Sequence, residues 1–245
     1  MVLEINKIYC MDYLEGMKQI PDNSVDLIVT DPPYETNYMD KLEGLNRIKK
    51  SNCKHKIQSV DKKGLKLDWE KLTNQFYRIL KKDTHTYIWC AEKQIITIIQ
   101  SMQKQGFKFV QILIWYKARV TPDMTFGHKY MYNNEFCLYF QKGWSKLRSQ
   151  KGNHSVIYHK VMGEQQKQVH PTQKPLKIFR KFIKNSSDEN DLILDPFMGS
   201  GTTAVACKQL NRNFIGFEIS QEYVDIANKR LAQENLKEWF DNGKD

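Results

Sequence analysis

The sequence predicts an α/β fold with a mostly parallel sheet and helices on both of its faces. Apolar runs of strand length alternate with segments of helical periodicity along the 245-residue chain, and this alternation is typical of right-handed crossovers between parallel strands. Two predicted strands end in unusual sequences, Asp31-Pro32-Pro33-Tyr34 and a Gly-x-Gly turn at 199–201. Ligands bind beyond the carboxyl ends of strands in such folds, so both ends are candidate functional positions.

The first elements are short. Residues 4–12 are predicted to form a strand that ends in an acid, residues 13–20 a short helix and residues 21–24 a turn. The aliphatic and β-branched run at 25–30 predicts a buried strand, which stops abruptly because proline cannot continue a ladder of hydrogen bonds. No sustained periodicity follows between residues 35 and 66.

Helices and strands alternate again from residue 67. Trp69, Leu72, Phe76 and Ile79 share one face of a predicted helix at 67–82. The further predicted elements are strands at 84–90, 107–116, 134–140, 191–195 and 213–218 and helices at 92–105, 176–184 and 221–239. The short connection between the strands at 107–116 and 134–140 fits an antiparallel pair, and the other strands are expected to be parallel.

Length and composition favour one domain, residues 1–245, with a negatively charged partner. The chain has 38 basic and 28 acidic residues, a net charge of +10, which suits a polyanion, although a solvated basic surface has the same composition. No apolar run approaches the ~18 residues of a membrane span, and the first residues do not resemble a signal peptide. We therefore expect a cytoplasmic protein.

The segment Asp31-Pro32-Pro33-Tyr34 suits chemistry on an exocyclic amine of a nucleobase. Such an amine is a poor nucleophile because its lone pair is delocalised into the ring. Asp31 and the carbonyl of Pro32 can accept its two hydrogens, the two prolines hold these acceptors rigidly, and Tyr34 offers a ring on which an extruded base can stack. The alternative is a strand end capped by prolines, with an incidental tyrosine.

The second stretch predicts a cofactor-binding turn. A strand ending at Asp195 leads through Gly199 and Gly201 into a helix, and glycines let a backbone approach a ligand closely. The next strand ends at Glu218, seventeen residues after Gly201. An acid in this place typically binds the hydroxyl groups of a ribose.

Together with His170-Pro171-Thr172-Gln173-Lys174-Pro175, these two motifs resemble the β class of S-adenosylmethionine-dependent DNA amino-methyltransferases. The three motifs occur in that family's order and cover most of the chain. The resemblance implies a Rossmann-like methyltransferase fold, with a seven-stranded sheet, an antiparallel last strand and a circularly permuted motif order. It also implies S-adenosylmethionine as cofactor, double-stranded DNA as partner, and as further expectations a homodimer and a cognate restriction enzyme. No metal is expected.

The resemblance assigns roles to individual residues. Asp12 and Tyr13 are expected to contact the adenine of the cofactor, although Asp12 could instead cap the helix that follows it. Thr172 and Lys174 are expected to bind the cofactor's carboxylate. The predicted catalytic residues are Asp31, Pro32, Pro33 and Tyr34, and the predicted cofactor-binding residues are Asp12, Tyr13, Asp31, Thr172, Lys174, Pro175, Asp195, Phe197, Gly199, Ser200, Gly201, Thr202 and Glu218.

The expected reaction is methylation of adenine N6 in DNA. In the family, Asp as the first motif residue favours adenine and Ser favours cytosine, so Asp31 favours adenine, with cytosine N4 as the alternative. None of the five cysteines follows a proline, which argues against attack at carbon 5 of cytosine. RNA, a protein glutamine, or a non-catalytic role as a DNA-binding subunit remain further alternatives.

Three segments are candidate DNA-binding regions. Residues 35–66 include eight basic residues and one acid between 47 and 66; we expect a mobile loop that grips phosphates, with a solvated insertion as the alternative. Residues 117–132 mix basic and aromatic side chains, and residues 144–169 occupy the place of a target-recognition region. The candidate DNA contacts are Arg47, Lys49, Lys50, Lys54, Lys56, Arg119, His128, Lys129, Lys146, Arg148 and Lys151.

Overall fold

A computed structural model describes residues 3–34, 67–121, 132–149, 153–159 and 174–242, with side chains except at 118–121, 132, 159 and 234–242. The described strands are β1 (Lys7–Cys10), β2 (Val25–Thr30), β3 (Leu80–Cys90), β4 (Lys108–Thr121), β5 (Tyr132–Lys142), β6 (Val156–His159), β7 (Leu192–Asp195) and β8 (Asn213–Glu218). They form one sheet in the order β1-β8-β7-β2-β3-β5-β4-β6.

The described helices are α1 (Tyr13–Met17), α2 (Trp69–Ile79), α3 (Ile95–Lys104), α4 (Leu176–Ser186), α5 (Thr202–Lys208) and α6 (Gln221–Asn242). A 3-10 turn, Glu92–Gln94, precedes α3. Every element predicted from the sequence is present, with ends that differ by a few residues. The largest difference is at β4, which was predicted to end at residue 116 and continues to Thr121. The strand β3 begins earlier than predicted, at Leu80, because Leu80 pairs with Val25 before a bulge separates that pair from Leu27 and His85.

The sheet confirms the predicted α/β class and the antiparallel pairing of the strands predicted at 107–116 and 134–140, with one difference in the number of strands. The described part of the chain has eight strands where seven were expected, because β6 forms within the segment 144–169 that was predicted to be a recognition loop, and it pairs in parallel with β4. The antiparallel strand is β5, which lies inside the sheet between β3 and β4. The predicted loop at 117–132 is also shorter, since β4 continues through Thr121.

Helices cover both faces of the sheet because the central strands are apolar on both sides. In β2, Leu27 and Val29 belong to a core with α4, α5 and α6, whereas Ile28 belongs to a second core with α1, α2 and α3. Continuous apolar strands of this kind are typical of buried parallel sheets. No described helix is long and apolar enough to cross a membrane.

The strand directions decide which residues meet. All strands except β5 end at the same edge of the sheet, here called the carboxyl edge, so the residues after β2, β7 and β8 lie there. Because β5 runs in the opposite direction, its first residues lie at the carboxyl edge, where Glu135 pairs with Trp115. Residues 143–149, which follow β5, lie at the opposite edge.

Candidate active site

Four charged side chains form an ion cluster at the carboxyl edge: Asp31, Lys117, Glu135 and Lys174. The Nζ atom of Lys174 is 2.7 Å from Oδ2 of Asp31 and 3.1 Å from Oε2 of Glu135. Lys117 forms an ion pair with the other oxygen of Glu135. The cluster therefore joins the end of β2 to β5, to β4 and to the residues before α4.

Packing of α4 on β3 places Lys174 in this cluster. The ring of Phe182 stacks on Tyr87 with centroids 4.5 Å apart, and Phe179 stacks on Trp89 at 6.1 Å. Such aromatic pairs contribute about 0.5–1.5 kcal/mol each beyond the burial of their area. Because Lys174 lies two residues before α4 begins, this packing fixes its backbone beside the end of β2.

The charges of the cluster stabilise one another although the cluster is largely buried. Lys174 exposes only 7% of its side chain. Burial alone would lower the pKa of Lys174, but the Asp31 and Glu135 carboxylates raise it above its ordinary value. Burial alone would raise the pKa of Glu135, but Lys174 and Lys117 lower it. Both groups are therefore charged at neutral pH.

Asp31 differs from the other members of the cluster. Its Oδ1 atom is buried and has no hydrogen-bond partner among the described residues, whereas its Oδ2 atom accepts from Lys174. Burial raises the pKa of Asp31, and the Lys174 ammonium offsets only part of this rise. One oxygen of the carboxylate is thus fixed by the protein, while the other is an unsatisfied acceptor.

Two aromatic rings, those of Tyr34 and Trp89, lie beside the ion cluster. The Nζ atom of Lys174 is 5.0 Å from the centroid of the Tyr34 ring and 5.5 Å from that of Trp89. The Tyr34 hydroxyl is buried and lies close enough to the Asp31 carboxylate to lower the pKa of Asp31, although within the described ranges neither the hydroxyl nor Oδ1 of Asp31 has a partner in hydrogen-bond geometry. Burial, and then the Asp31 charge, raise the pKa of Tyr34 well above its ordinary value, so the phenol is neutral.

Asp195 connects the end of β2 to the glycine turn. Its Oδ1 atom accepts from the Thr30 hydroxyl at 2.7 Å and from the Phe197 backbone N–H at 3.0 Å, and its Oδ2 atom accepts from the Thr203 hydroxyl. Burial raises the pKa of Asp195 to about 7, although these three donors lower it. The Asp195 carboxyl group therefore links Thr30, the residue before Asp31, to Thr203 at the start of α5.

The glycine turn needs its two glycines for different reasons. Both have left-handed backbones, with φ of +52° at Gly199 and +85° at Gly201, which favour glycine. A Cβ atom on Gly201 would lie 2.7 Å from the Cβ atom of Ala227 in α6, whereas one on Gly199 would meet no atom nearer than 4.0 Å. Gly201 thus permits close packing, and Gly199 leaves space beside the turn.

Glu218 and Arg230 stabilise this turn from the two elements that follow it. The Glu218 carboxylate accepts from the backbone N–H groups of Gly199 and Ser220, at 2.9 and 2.8 Å. Arg230 of α6 donates to the carbonyl of Ser200 at 2.5 Å and lies within 3.4 Å of the Thr202 hydroxyl. The backbone of the turn is therefore preorganised.

Asp12, Tyr13 and Phe197 lie together on the α1 side of the carboxyl edge. The Asp12 carboxylate accepts from the N–H groups of Leu14 and Glu15 and so caps α1. The rings of Tyr13 and Phe197 have centroids 4.8 Å apart. The open space at Gly199, the half-buried Phe197 ring and the Glu218 oxygens, which retain lone pairs, fit a cofactor that carries a nucleoside.

The structure brings together most of the described residues that the motifs predicted. Asp31, Tyr34 and Lys174 meet in the ion cluster, while the predicted turn residues lie around Asp195 and Glu218. Lys146 and Arg148, which were predicted to contact DNA, do not lie at the carboxyl edge with these residues. Since β5 is antiparallel, they lie at the opposite edge of the sheet, where Arg148 forms an ion pair with Asp188 at 2.9 Å.

Several predicted residues lie outside the described parts. Thr172 is one, the segment 35–66 is another, and Arg119 is described only by its backbone. The candidate DNA contacts that fall outside are Arg47, Lys49, Lys50, Lys54, Lys56, His128, Lys129 and Lys151.

Sequence reasoning missed Glu135, Lys117, Thr30 and Arg230. Glu135 and Lys117 belong to no motif; the signal was an acid and a lysine within apolar strands, where an unpaired charge is costly. Thr30 was visible only as the last residue of a buried strand. Arg230 had no signal in the sequence.

Comparisons with known proteins agree with this geometry. The family model described as DNA methylase matches residues 25–229. The chain is 30% identical over 252 residues to the Type II methyltransferase M2.DpnII of Streptococcus pneumoniae, covering 91% of this chain and 88% of that protein. It is 31% identical over 260 residues to the Type II methyltransferase M.HinfI of Haemophilus influenzae, covering 94% and 69%.

Solved structures give the same result. The structure of M1.HpyAVI in complex with SAM matches with a TM-score of 0.67 and 29% identity, covering 91% of this chain and 98% of that one. The cytosine-N4-specific PvuII DNA methyltransferase matches with a TM-score of 0.72 over 94% of this chain and 87% of that one. At 18% identity, the latter supports the fold alone.

Proposed function

This chain belongs to the DNA methylase family, and from that premise we propose that it transfers the methyl group of S-adenosylmethionine to N6 of adenine in double-stranded DNA. The family resemblance and the relatives named above support the cofactor and the reaction class. The first motif residue, Asp31, favours adenine over cytosine N4. The net charge of +10 suits DNA.

The observation that carries the proposal is the unsatisfied Oδ1 atom of Asp31. Leaving a buried acceptor unpaired costs about 1–3 kcal/mol, and a donor from an amine group would remove this cost. Oδ2 is occupied by Lys174 at 2.7 Å, so the carboxylate is held in one orientation. An acceptor held in this way is preorganised for a hydrogen of the amine before the substrate arrives.

The proposed mechanism follows from this geometry. The target base leaves the duplex at a cost of a few kcal/mol and enters the site, where Tyr34 stacks on it. Oδ1 of Asp31 and the carbonyl of Pro32 accept the two amine hydrogens, which directs the nitrogen lone pair towards the methyl group. When bound, S-adenosylmethionine supplies a methyl group already activated by its sulfonium. The protein therefore contributes mainly orientation. Transfer would form the N–CH3 bond and break the S–CH3 bond, leaving S-adenosylhomocysteine, and the methylated amine would then lose one proton to water.

The glycine turn and its neighbours would hold the cofactor. Glu218 at the end of β8 is suited to the ribose, and Phe197 with Tyr13 to the adenine. Asp12 caps α1 and so fixes Tyr13. Lys174 was expected to bind the cofactor's carboxylate, but its ammonium contacts two carboxylates of the protein. We therefore assign Lys174 to the orientation of Asp31.

The test is transfer from labelled S-adenosylmethionine to unmethylated genomic DNA, with the products resolved as nucleosides. RNA and a protein mixture serve as parallel substrates. The proposal predicts N6-methyladenine in DNA alone. N4-methylcytosine would keep the mechanism and change the base, whereas label only in RNA or protein would refute DNA as the substrate. A homodimer, a cognate restriction enzyme and action in the cytoplasm remain predictions from the resemblance.

A further inference from the structure

Glu135 belongs to no motif, yet its carboxylate is the second partner of the lysine that holds Asp31. Lys174 contacts Oδ2 of Asp31 at 2.7 Å and Oε2 of Glu135 at 3.1 Å. Glu135 exposes 20% of its side chain and is itself paired with Lys117. Positive and negative charges alternate through these four side chains, so the cluster is neutral as a whole.

The lysine has enough donors to occupy Asp31 completely. An ammonium carries three N–H groups and no acceptor. In the structure it donates a hydrogen bond to Oδ2 of Asp31 and forms an ion pair with Oε2 of Glu135. In the described part of the chain, Oδ1 of Asp31 and Oε2 of Glu135 are both buried without a hydrogen-bond partner. Without a second carboxylate on its other side, the ammonium could centre on Asp31 and contact both oxygens. The oxygen that the amine requires would then be taken.

We propose that Glu135 is a positioning residue that divides the Lys174 ammonium between two carboxylates and so keeps Oδ1 of Asp31 available to the target amine. Lys117 of the neighbouring strand β4 forms an ion pair with Glu135 and so fixes its carboxylate. The position of Lys174 between the two carboxylates therefore does not depend on bound substrate. This inference rests on the proposed function, since that function gives Asp31 the role of amine acceptor.

The charge of Glu135 also affects the titration of Asp31. Among the described residues, the titratable groups that interact with Asp31 are Lys174, Glu135, Tyr34, Cys90, Cys137 and Asp195. Among them, Glu135 raises the pKa of Asp31. Loss of the Glu135 charge would lower that pKa, so Asp31 would stay ionised to lower pH. The acid limb of the rate profile would move to lower pH even as the rate on the plateau falls.

The decisive variant is Glu135→Gln, which keeps the size of the side chain and removes its charge. In its crystal structure, the Nζ atom of Lys174 is expected within hydrogen-bond distance of both oxygens of Asp31. The single-turnover rate of methyl transfer by Glu135→Gln should fall on the order of 10- to 100-fold. The acid limb of its pH–rate profile should lie at lower pH than in the wild type, and S-adenosylmethionine binding should be retained. Glu135→Asp should recover part of the rate. If Glu135→Gln does not fold, Glu135→Thr removes the same charge with a residue that strands favour, and the same shift of Lys174 and the same loss of rate are expected.

Glu189→Gln is the matched control, because it removes the same charge from an exposed position at the opposite edge. A Glu135→Gln protein with Lys174 unmoved, and with the wild-type rate and acid limb, would overturn the inference. A structural role alone would lower the melting temperature without shifting the limb, and this result would also overturn it. The crystal structure reports on Lys174 even if the wild-type protein does not methylate DNA, so failure of the proposed function remains distinguishable.

Discussion

Thr30→Val tests whether Asp195 links the catalytic strand to the cofactor turn. Valine has the shape of threonine without its hydroxyl, so the change removes one donor to Asp195, the 2.7 Å bond to Oδ1. Both residues are buried, with 0% of Thr30 and 3% of Asp195 exposed. A hydrogen bond to a charged group contributes about 1.5–3 kcal/mol, against about 0.5–1.5 kcal/mol for one between neutral groups.

The pH dependence of this loss follows from the titration of Asp195. Burial raises its pKa in the folded state to about 7, above the ordinary value of 3.8. The stability that Asp195 contributes is therefore full below pH 3.8 and is lost as the pH rises through 7. At pH 8 the carboxylate is charged and depends most on its donors. Thr30→Val should thus destabilise by about 1.5–3 kcal/mol at pH 8 and by about 1 kcal/mol less at pH 5.5.

The assay is urea unfolding of the variant and the wild type at both pH values. The contributions of all other titrating groups cancel in the difference between their free energies of unfolding. Thr86→Val is the matched control: this hydroxyl is fully buried in β3 and has no hydrogen-bond partner among the described residues, so its removal should be neutral or stabilising. Equal losses for the two valine variants, or a loss for Thr30→Val that does not change with pH, would refute the reasoning.

Two further predictions concern the glycine turn and the opposite edge of the sheet. Gly201→Ala should destabilise the protein by more than Gly199→Ala and should weaken S-adenosylmethionine binding. Both glycines have positive φ, so alanine costs about 1–2 kcal/mol at either position, but only a Cβ atom at residue 201 would lie 2.7 Å from Ala227. Urea unfolding measures the stabilities and calorimetric titration the cofactor affinity; equal losses of stability in the two variants would contradict the packing argument. Arg148→Ala should leave DNA affinity unchanged and cost less than about 1 kcal/mol, as expected for an exposed ion pair; a clear loss of DNA affinity would return Arg148 to the DNA-binding surface.

The sequence was sufficient where a local pattern determined the structure. The strand 25–30 and the strand 213–218 were predicted with their exact ends, because a continuous apolar run bounded by proline or by an acid leaves little choice. Pairing between distant segments was harder. The edge strand β6 has four residues in a polar segment, and only its parallel pairing with β4 makes it a strand.

In the candidate site, too, local motifs were predicted and contacts between distant segments were not. Asp31, Gly201 and Glu218 were found by motif, since each lies at the end of a recognisable strand. Glu135 was missed because it belongs to no motif and its role depends on its contact with Lys174, which comes from a distant segment of the chain. The antiparallel direction of β5 brings Glu135 to the carboxyl edge. The same reversal carries Arg148 away from that edge. Neither position can be derived from local periodicity, because both depend on how distant segments pair in the sheet.

Asp31→Asn tests the central claim most directly, because it keeps the size of the side chain and removes the charge that orients the amine. The measurement is the single-turnover rate of methyl transfer to DNA, with S-adenosylmethionine affinity and melting temperature recorded on the same preparations. The account predicts a loss of rate on the order of 100- to 1,000-fold, similar to the loss of one preorganised hydrogen-bonding group in other enzymes, with cofactor affinity retained. Methylation at the wild-type rate by Asp31→Asn would contradict it.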